Sequence, residues 1–244
     1  MRKKLGIILP GKIGDIIICL PIAKHYYDNG YDIYWPIYNE LISNFNDYIN
    51  YVNFIPTYSP DRITESFNLV NQHNCEVLDL SFTSPGSWHN ENTKHYLSQR
   101  EKSFDEFRYF LANVDFQKKW TLSIERKFER EEALYFNLVN KSRFCLIQKH
   151  SSDSKIEKDI DVSNYEGQII EIKPHSQSVF DWLGIIEKAE RILLIESCFT
   201  NLIDQLGIKN NKQILVMKKG YYNETLVDGH PKGLPRLKNN WSIA

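Results

Sequence analysis

Short apolar runs alternate with amphipathic stretches along the whole chain. Leu5-Gly-Ile-Ile-Leu9 is an apolar run stopped by Pro10-Gly11, the pattern of a buried strand. Ile16 to Asn29 reads as a helix ending at Gly30, the residue type that tolerates a left-handed C-terminal turn. Pro21 lies inside it, which predicts a kink or a regular helix only from about Leu20. Strands are then predicted over 31–37, 51–55 and 75–80, with helices over 40–48 and 62–72 between them. Strand and helix alternating in this way is the signature of a parallel sheet with crossover helices. Helices over 104–113 and 125–140 follow, the second charged and amphipathic.

A second alternation starts at Arg143, with strands over 144–148, 168–172, 191–195 and 213–217. Helices over 178–189 and 200–206 lie between them, the first opened by Ser178 with Asp181 three residues on, a capping-box spacing. The pattern predicts two α/β halves, 1–140 and 141–244, each Rossmann-like and facing each other across a cleft. The tail from Lys218 is rich in Gly, Pro, Asn and Lys, which predicts a surface wrap.

Composition narrows the picture. The 244 residues suffice for two small domains. A formal net charge of −1 supplies no global field for nucleic acid or an anionic membrane, although Lys218, Lys219, Lys232, Arg236 and Lys238 make the tail locally basic. Cys19, Cys75, Cys145 and Cys198 are far apart and read as reduced thiols, neither disulfides nor a zinc set. The basic start followed by apolar residues is broken by Gly11, Lys12, Gly14 and Asp15, so it does not read as a signal peptide. No stretch approaches the ~20 apolar residues that span a bilayer. The expectation is a cytoplasmic protein.

Candidate chemistry clusters where strands end. Gly11-Lys12-Ile13-Gly14-Asp15 joins the first strand to the first helix. Glycine there permits close backbone approach to a ligand, and the helix start offers unpaired N–H groups. It is not a dinucleotide fingerprint, which argues against a dinucleotide-dependent enzyme. Asp15 reads equally as a helix cap or as a functional carboxylate. Trp88 and His89, in a loop after the fourth strand, can pack on a sugar or a base. Asp159-Ile-Asp161 lies in a charged loop and reads as a solvated turn; His150 and His175 read as ordinary polar residues.

Residues 5–23, Leu-Gly-Ile-Ile-Leu-Pro-Gly-Lys-Ile-Gly-Asp-Ile-Ile-Ile-Cys-Leu-Pro-Ile-Ala, resemble the opening of the ADP-heptose heptosyltransferase family of GT-B glycosyltransferases (glycosyltransferase family 9). Leu20-Pro21 matches that opening and accounts for the proline. The resemblance implies a compact GT-B fold with an acceptor-side first half and a donor-binding second half. It implies that Asp15 is the general base on an acceptor hydroxyl, in an inverting transfer from a nucleotide-diphospho-sugar without a metal or other cofactor. Gly11, Lys12, Gly14, Trp88 and His89 then belong to the acceptor side.

Residues 178–202 resemble the family's donor-side helix–strand–loop–helix unit more loosely. Where the family usually has Asp-(Ser/Thr)-Gly with a His nearby, this chain has Glu196, Ser197, Cys198, Phe199, Thr200 and Asn201. Ser151, Ser152 and Lys155 match the hydroxyl and ammonium types the family places near the diphosphate. Glu196, Ser197, Cys198, Thr200 and Asn201 complete the implied donor set. Ser197 and Thr200 also read as helix caps, and the 151–155 segment as a solvated loop. A non-catalytic nucleotide-sugar-binding protein of the same fold is the alternative. An envelope saccharide or a modified nucleic-acid base is the implied acceptor.

Overall fold

The computed structural model describes residues 2–82, 91–98, 101–150, 160, 162–173, 176–209, 213–216, 226–227, 230–231, 235–239 and 241–243. Two compact units result: Met1–Glu125 with Thr225–Arg236, and Arg126–Glu224 with Leu237–Ala244.

The first unit runs β1 (Lys3–Ile8), α1 (Ile13–Asp28), β2 (Tyr31–Tyr38), α2 (Ile42–Phe45), β3 (Val52–Thr57), α3 (Arg62–Gln72), β4 (Glu76–Asp79), α4 (Glu91–Ser98) and α5 (Phe104–Leu111). Its sheet has the order β3-β2-β1-β4, parallel throughout. Pro56 is accommodated because β3 is an edge strand, where a missing N–H leaves no ladder bond unmade. Helix α1 is apolar all round, with Ile16 to Ala23 consecutively buried, as expected of a helix covered on every side. It continues through Pro21. In the turn that the proline perturbs, the Tyr109 hydroxyl donates to the Ile18 carbonyl at 2.9 Å. Gly6 on β1 lets α3 approach the sheet, since a Cβ there would lie 2.1 Å from Val70 Cγ1.

The second unit contains α6 (Phe128–Leu138), β5 (Phe144–Gln148), β6 (Gln168–Glu171), α7 (Leu183–Lys188), β7 (Arg191–Ile195), α8 (Cys198–Gln205) and β8 (Gln213–Val216). Phe144, Leu146, Ile192 and Leu194 enter a core with Trp182, Ile185 and Phe199. Cys145, Ile147, Leu193 and Ile195 enter another with Ile160. Alternate residues of β5 and β7 therefore bury both faces, as in a parallel sheet covered on both sides.

The tail is more structured than a surface wrap. β9 (Leu226–Val227) pairs antiparallel with β10 (His230–Pro231). β11 (Ser242–Ile243) joins the second sheet beside β8, giving the order β11-β8-β7-β5-β6. The buried Asp204 carboxylate anchors its approach by accepting the Lys238 and Asn239 N–H groups at 3.0 and 2.8 Å.

The sequence pattern put the helix at 125–140 at the end of the first half; α6 packs in the second unit. There Arg126 bridges Glu131 and Glu187, and Arg130 reaches Asp181 at 2.9 Å. These charged contacts carry no periodic signal, so α6 reads from sequence as a continuation of what precedes it.

A fully buried ion pair organises the base of α5. Lys119 Nζ lies 2.6 Å from Asp105 Oδ2, which also accepts the Arg236 N–H at 2.9 Å. Ser103 donates to Asp105 Oδ1 at 2.6 Å. Breaking a buried pair strands one charge, whereas removing both partners does not. Lys119→Met is therefore expected to cost about 3–5 kcal/mol in urea denaturation. The double variant Lys119→Met with Asp105→Leu is expected to cost less than Lys119→Met alone.

Candidate functional site

Both sheets reverse their strand order once, and ligands of open parallel sheets bind beyond the strand ends at such a point. In the first unit the reversal separates β1 from β4. The segment after β1 and the segment after β4 line a pocket there of about 250 Å³, with Leu9, Pro10, Gly11, Asp15, Ser81, Phe82 and Arg108 in its wall. Pro60, Asp61, Arg62 and Ile63, leading from β3 into α3, complete it.

Asp15 is the third residue of α1 and folds back over the helix start. Its Oδ2 accepts the Lys12 N–H at 3.0 Å, and its Oδ1 lies 2.7 Å from Arg108 Nη1. One oxygen of Asp15 thus caps the helix start while the other faces Arg108. This backward fold is what glycine at position 11 permits. A Cβ on Gly11 would lie 2.5 Å from Asp15 Cβ and 2.9 Å from Oδ2. Gly14 is half-buried in the first turn, and Lys12 is exposed ahead of it.

Arg108 has no counterpart in the sequence reading. It sits on α5 with its side chain 7% exposed, against 30% for Asp15. Its guanidinium carbon lies 5.3 Å from the ring centres of both Phe82 and Phe104, a cation held between two aromatic faces. Burial disfavours its charge. The Asp15 carboxylate, with Cys19 and Asp105 behind it, more than compensates and holds its pKa above the ordinary arginine value. Cys19 lies beneath, fully buried, and burial pushes its thiol up to about 12, so it is no thiolate nucleophile at neutral pH.

Ser81 is oriented from below. Its N–H and hydroxyl donate to Asp79 Oδ1 at 2.8 and 2.6 Å. Asn92 of α4 donates to the carbonyls of Asp79 and Ser81 at 3.1 and 3.2 Å, fixing the end of β4. Trp88 and His89 lie outside the described residues.

In the second unit the reversal separates β5 from β7. The turn from Glu196 to Asn201 leaves β7 at that point. Ser197 caps α8, its oxygen accepting the Phe199 N–H at 3.2 Å, and it donates to Gln148 Oε1 at 2.6 Å, joining the two strand ends. Thr200 is buried and donates back to the Ile195 carbonyl at 3.0 Å. Asn201 donates to the Ser197 carbonyl at 3.1 Å, while its buried Oδ1 has no hydrogen-bond donor among the described residues. Cys198 is half-buried and burial pushes it up to about 12; Glu196 is also half-buried. Ser151, Ser152 and Lys155, expected beside this turn, lie outside the described residues, as do Asp159, Asp161 and His175.

No protein-family model and no curated protein matches the sequence. Among solved structures, the chain is similar to the glycosyl transferase family 9 protein from Veillonella parvula DSM 2008. Identity is 10% over 88% of this chain and 80% of that one, with a TM-score of 0.54. It is similar to E. coli ADP-heptose LPS heptosyltransferase II, at 11% identity over 99% and 90% of the two chains, with a TM-score of 0.54. The iron-containing dodecameric glycosyltransferase TibC from enterotoxigenic E. coli H10407 matches at 10% identity, 88% of this chain, 58% of that one and a TM-score of 0.55. TibC also appears in complex with ADP-D-β-D-heptose, at a TM-score of 0.51. The fold is accordingly the α/β GT-B fold of these glycosyltransferases.

The contact between Gly11 and Asp15 yields a direct test. Gly11→Ala is expected to destabilise by about 1–3 kcal/mol through overpacking, read by urea denaturation. In an Asp15→Gly background the clashing atoms are gone, and the same substitution is expected to cost far less.

Proposed function

We infer that the chain is a glycosyltransferase, moving a sugar from a nucleotide-diphospho-sugar to an acceptor hydroxyl with inversion. The observation that carries this reading is Asp15: a carboxylate at the strand-order reversal, lining a pocket, with its orientation fixed from two sides. In the reaction, the bond from the anomeric carbon to the diphosphate oxygen breaks and a bond to the acceptor oxygen forms. The acceptor proton passes to Asp15, and the nucleoside diphosphate leaves. General base catalysis of this kind asks for a carboxylate within hydrogen-bond reach of the hydroxyl, directly or through one water.

The second unit would take the nucleotide, as parallel sheets do at their order reversal. The Glu196–Asn201 turn, with Ser151, Ser152 and Lys155, is the proposed donor side. Lys155 would offset the charge of the leaving diphosphate. The complex of TibC with ADP-D-β-D-heptose supports a nucleotide-diphospho-sugar as the donor class. The acceptor reading stays with a saccharide or nucleic-acid hydroxyl. We propose a direct displacement in which the protein supplies the base and no metal takes part, although TibC is described as iron-containing.

A second reading rests on the Glu196-Ser197-Cys198 turn, which departs from the Asp-(Ser/Thr)-Gly usual in the family the chain resembles; this departure favours a protein of the same fold that binds a nucleotide-sugar without turning it over.

A panel of ADP-, UDP- and GDP-sugars separates the two readings, with affinity measured by calorimetry and turnover by release of the nucleoside diphosphate. Asp15→Asn, checked for folding by circular dichroism, is expected to lower turnover by roughly 10²–10⁴-fold with donor affinity kept. Binding without release in the unaltered protein establishes the second reading. Turnover unchanged in Asp15→Asn removes Asp15 as the base.

A further inference from the structure

Arg108 presents a physical puzzle that the proposed reaction resolves. A guanidinium is costly to bury, and well-packed apolar residues in place of a buried ion pair are often neutral or stabilising. This one is buried with its Nε lacking a hydrogen bond among the described residues, and its Nη1 approaches Asp15 off the line of one. Its position is nonetheless closely determined, between Phe82 and Phe104 on α5. Folding energy alone gives little reason for a cation here.

We propose that Arg108 is the positioning residue for Asp15. A carboxylate has about four lone-pair sites. The Lys12 N–H takes one on Oδ2, and Arg108 faces Oδ1 from the buried side. The carboxylate plane is thereby fixed, and the sites left to a hydroxyl are those on its exposed edge, toward the pocket formed with Ser81, Phe82 and Arg62. Arg108 lines the pocket wall with its side chain only 7% exposed, and the role assigned to it here is exerted through Asp15. This assignment rests on Asp15 being the base, and its test is built to fail separately from that reading.

In the kinetic arm, the probe is nucleoside diphosphate released from ADP-glucose, UDP-glucose or GDP-mannose, with water or a simple glycoside as acceptor. Arg108→Ala is expected to lower kcat by roughly 10²-fold, the effect of a misplaced catalytic group, with KM for the sugar nucleotide nearly unchanged. Added guanidinium at millimolar concentration, or Arg108→Lys, is expected to restore part of the loss. A folded Arg108→Ala protein with full kcat overturns the assignment, as does a loss that neither guanidinium nor lysine relieves.

The second arm needs no turnover. Asp15→Asn leaves Arg108 buried without its anion, so adding Arg108→Met to that variant is expected to raise its urea midpoint. No rise means that the two side chains are not a working pair, and the assignment falls. Absence of release from every sugar nucleotide by the unaltered protein, together with such a rise, overturns the glycosyltransferase reading and leaves the pairing standing.

Discussion

A strand that must run parallel to its predecessor can reach its place only through a crossover, and short right-handed crossovers build a sheet outward from its first strand. Here the chain builds β2 and β3 on one side of β1, and β4 returns to the other side. The pocket of the first unit lies at that reversal. Leu9 to Asp15 and Ser81 to Phe82 face each other because β1 and β4 are hydrogen-bonded neighbours, with Ile8 opposite Asp79. The second unit repeats the logic, with Gln148 and Ser197 meeting at the ends of β5 and β7.

Topology opens the crevice, and buried charge decides its contents. Helix α5 carries two buried charged residues three positions apart, Asp105 and Arg108, and each finds an opposite charge on another element. Asp105 meets Lys119 and the Arg236 backbone, which anchors α5 at its N-terminal end. Arg108, nearly one turn on, extends from the same anchored helix to Asp15. The Asp105–Lys119 pair is fully buried. The Arg108 contact ends at a carboxylate in a pocket wall. A site held by helices in this way keeps its geometry better than one built on loops alone.

Elements with a strong period were legible in the sequence. The pattern gives α3 over 62–72, β5 over 144–148 and β7 over 191–195, the ranges the structure has, because each is bounded by clear polar or turn residues. The start of α1 is three residues earlier than its apolar pattern suggests, since Asp15 caps it from inside the first turn. The short strand Ser242–Ile243 was illegible: two residues cannot show a period, and their place beside β8 is set by Asp204 holding residues 238 and 239. At the site, Gly11 and Asp15 stood out because they interrupt an apolar run. Arg108 did not, because an arginine in the amphipathic sequence Phe-Asp-Glu-Phe-Arg-Tyr-Phe-Leu looks like a member of the polar face. The available signal was its spacing, four residues after Phe104 and one after Phe107, which puts it on the side that buries aromatics.

For Asp15, capping and catalysis looked like competing readings in the sequence, and the geometry removes the competition. A capping aspartate needs one oxygen; a base needs another that a hydroxyl can reach. With Oδ2 on the Lys12 N–H, the side chain can adopt only conformations that keep that bond, and these direct Oδ1 along the β1–β4 crevice toward Arg108. Gly11 leaves room for the conformation, and the cap makes it the favoured one. For the base proposed above, rotational freedom that a surface aspartate would lose on meeting an acceptor has already been lost on folding, and such pre-organisation is worth most when a reaction depends on one oxygen at one place. The two halves of the G-x-x-G-D pattern therefore do different physical jobs for the same residue: the first glycine admits the carboxylate, and the helix start it precedes holds it still.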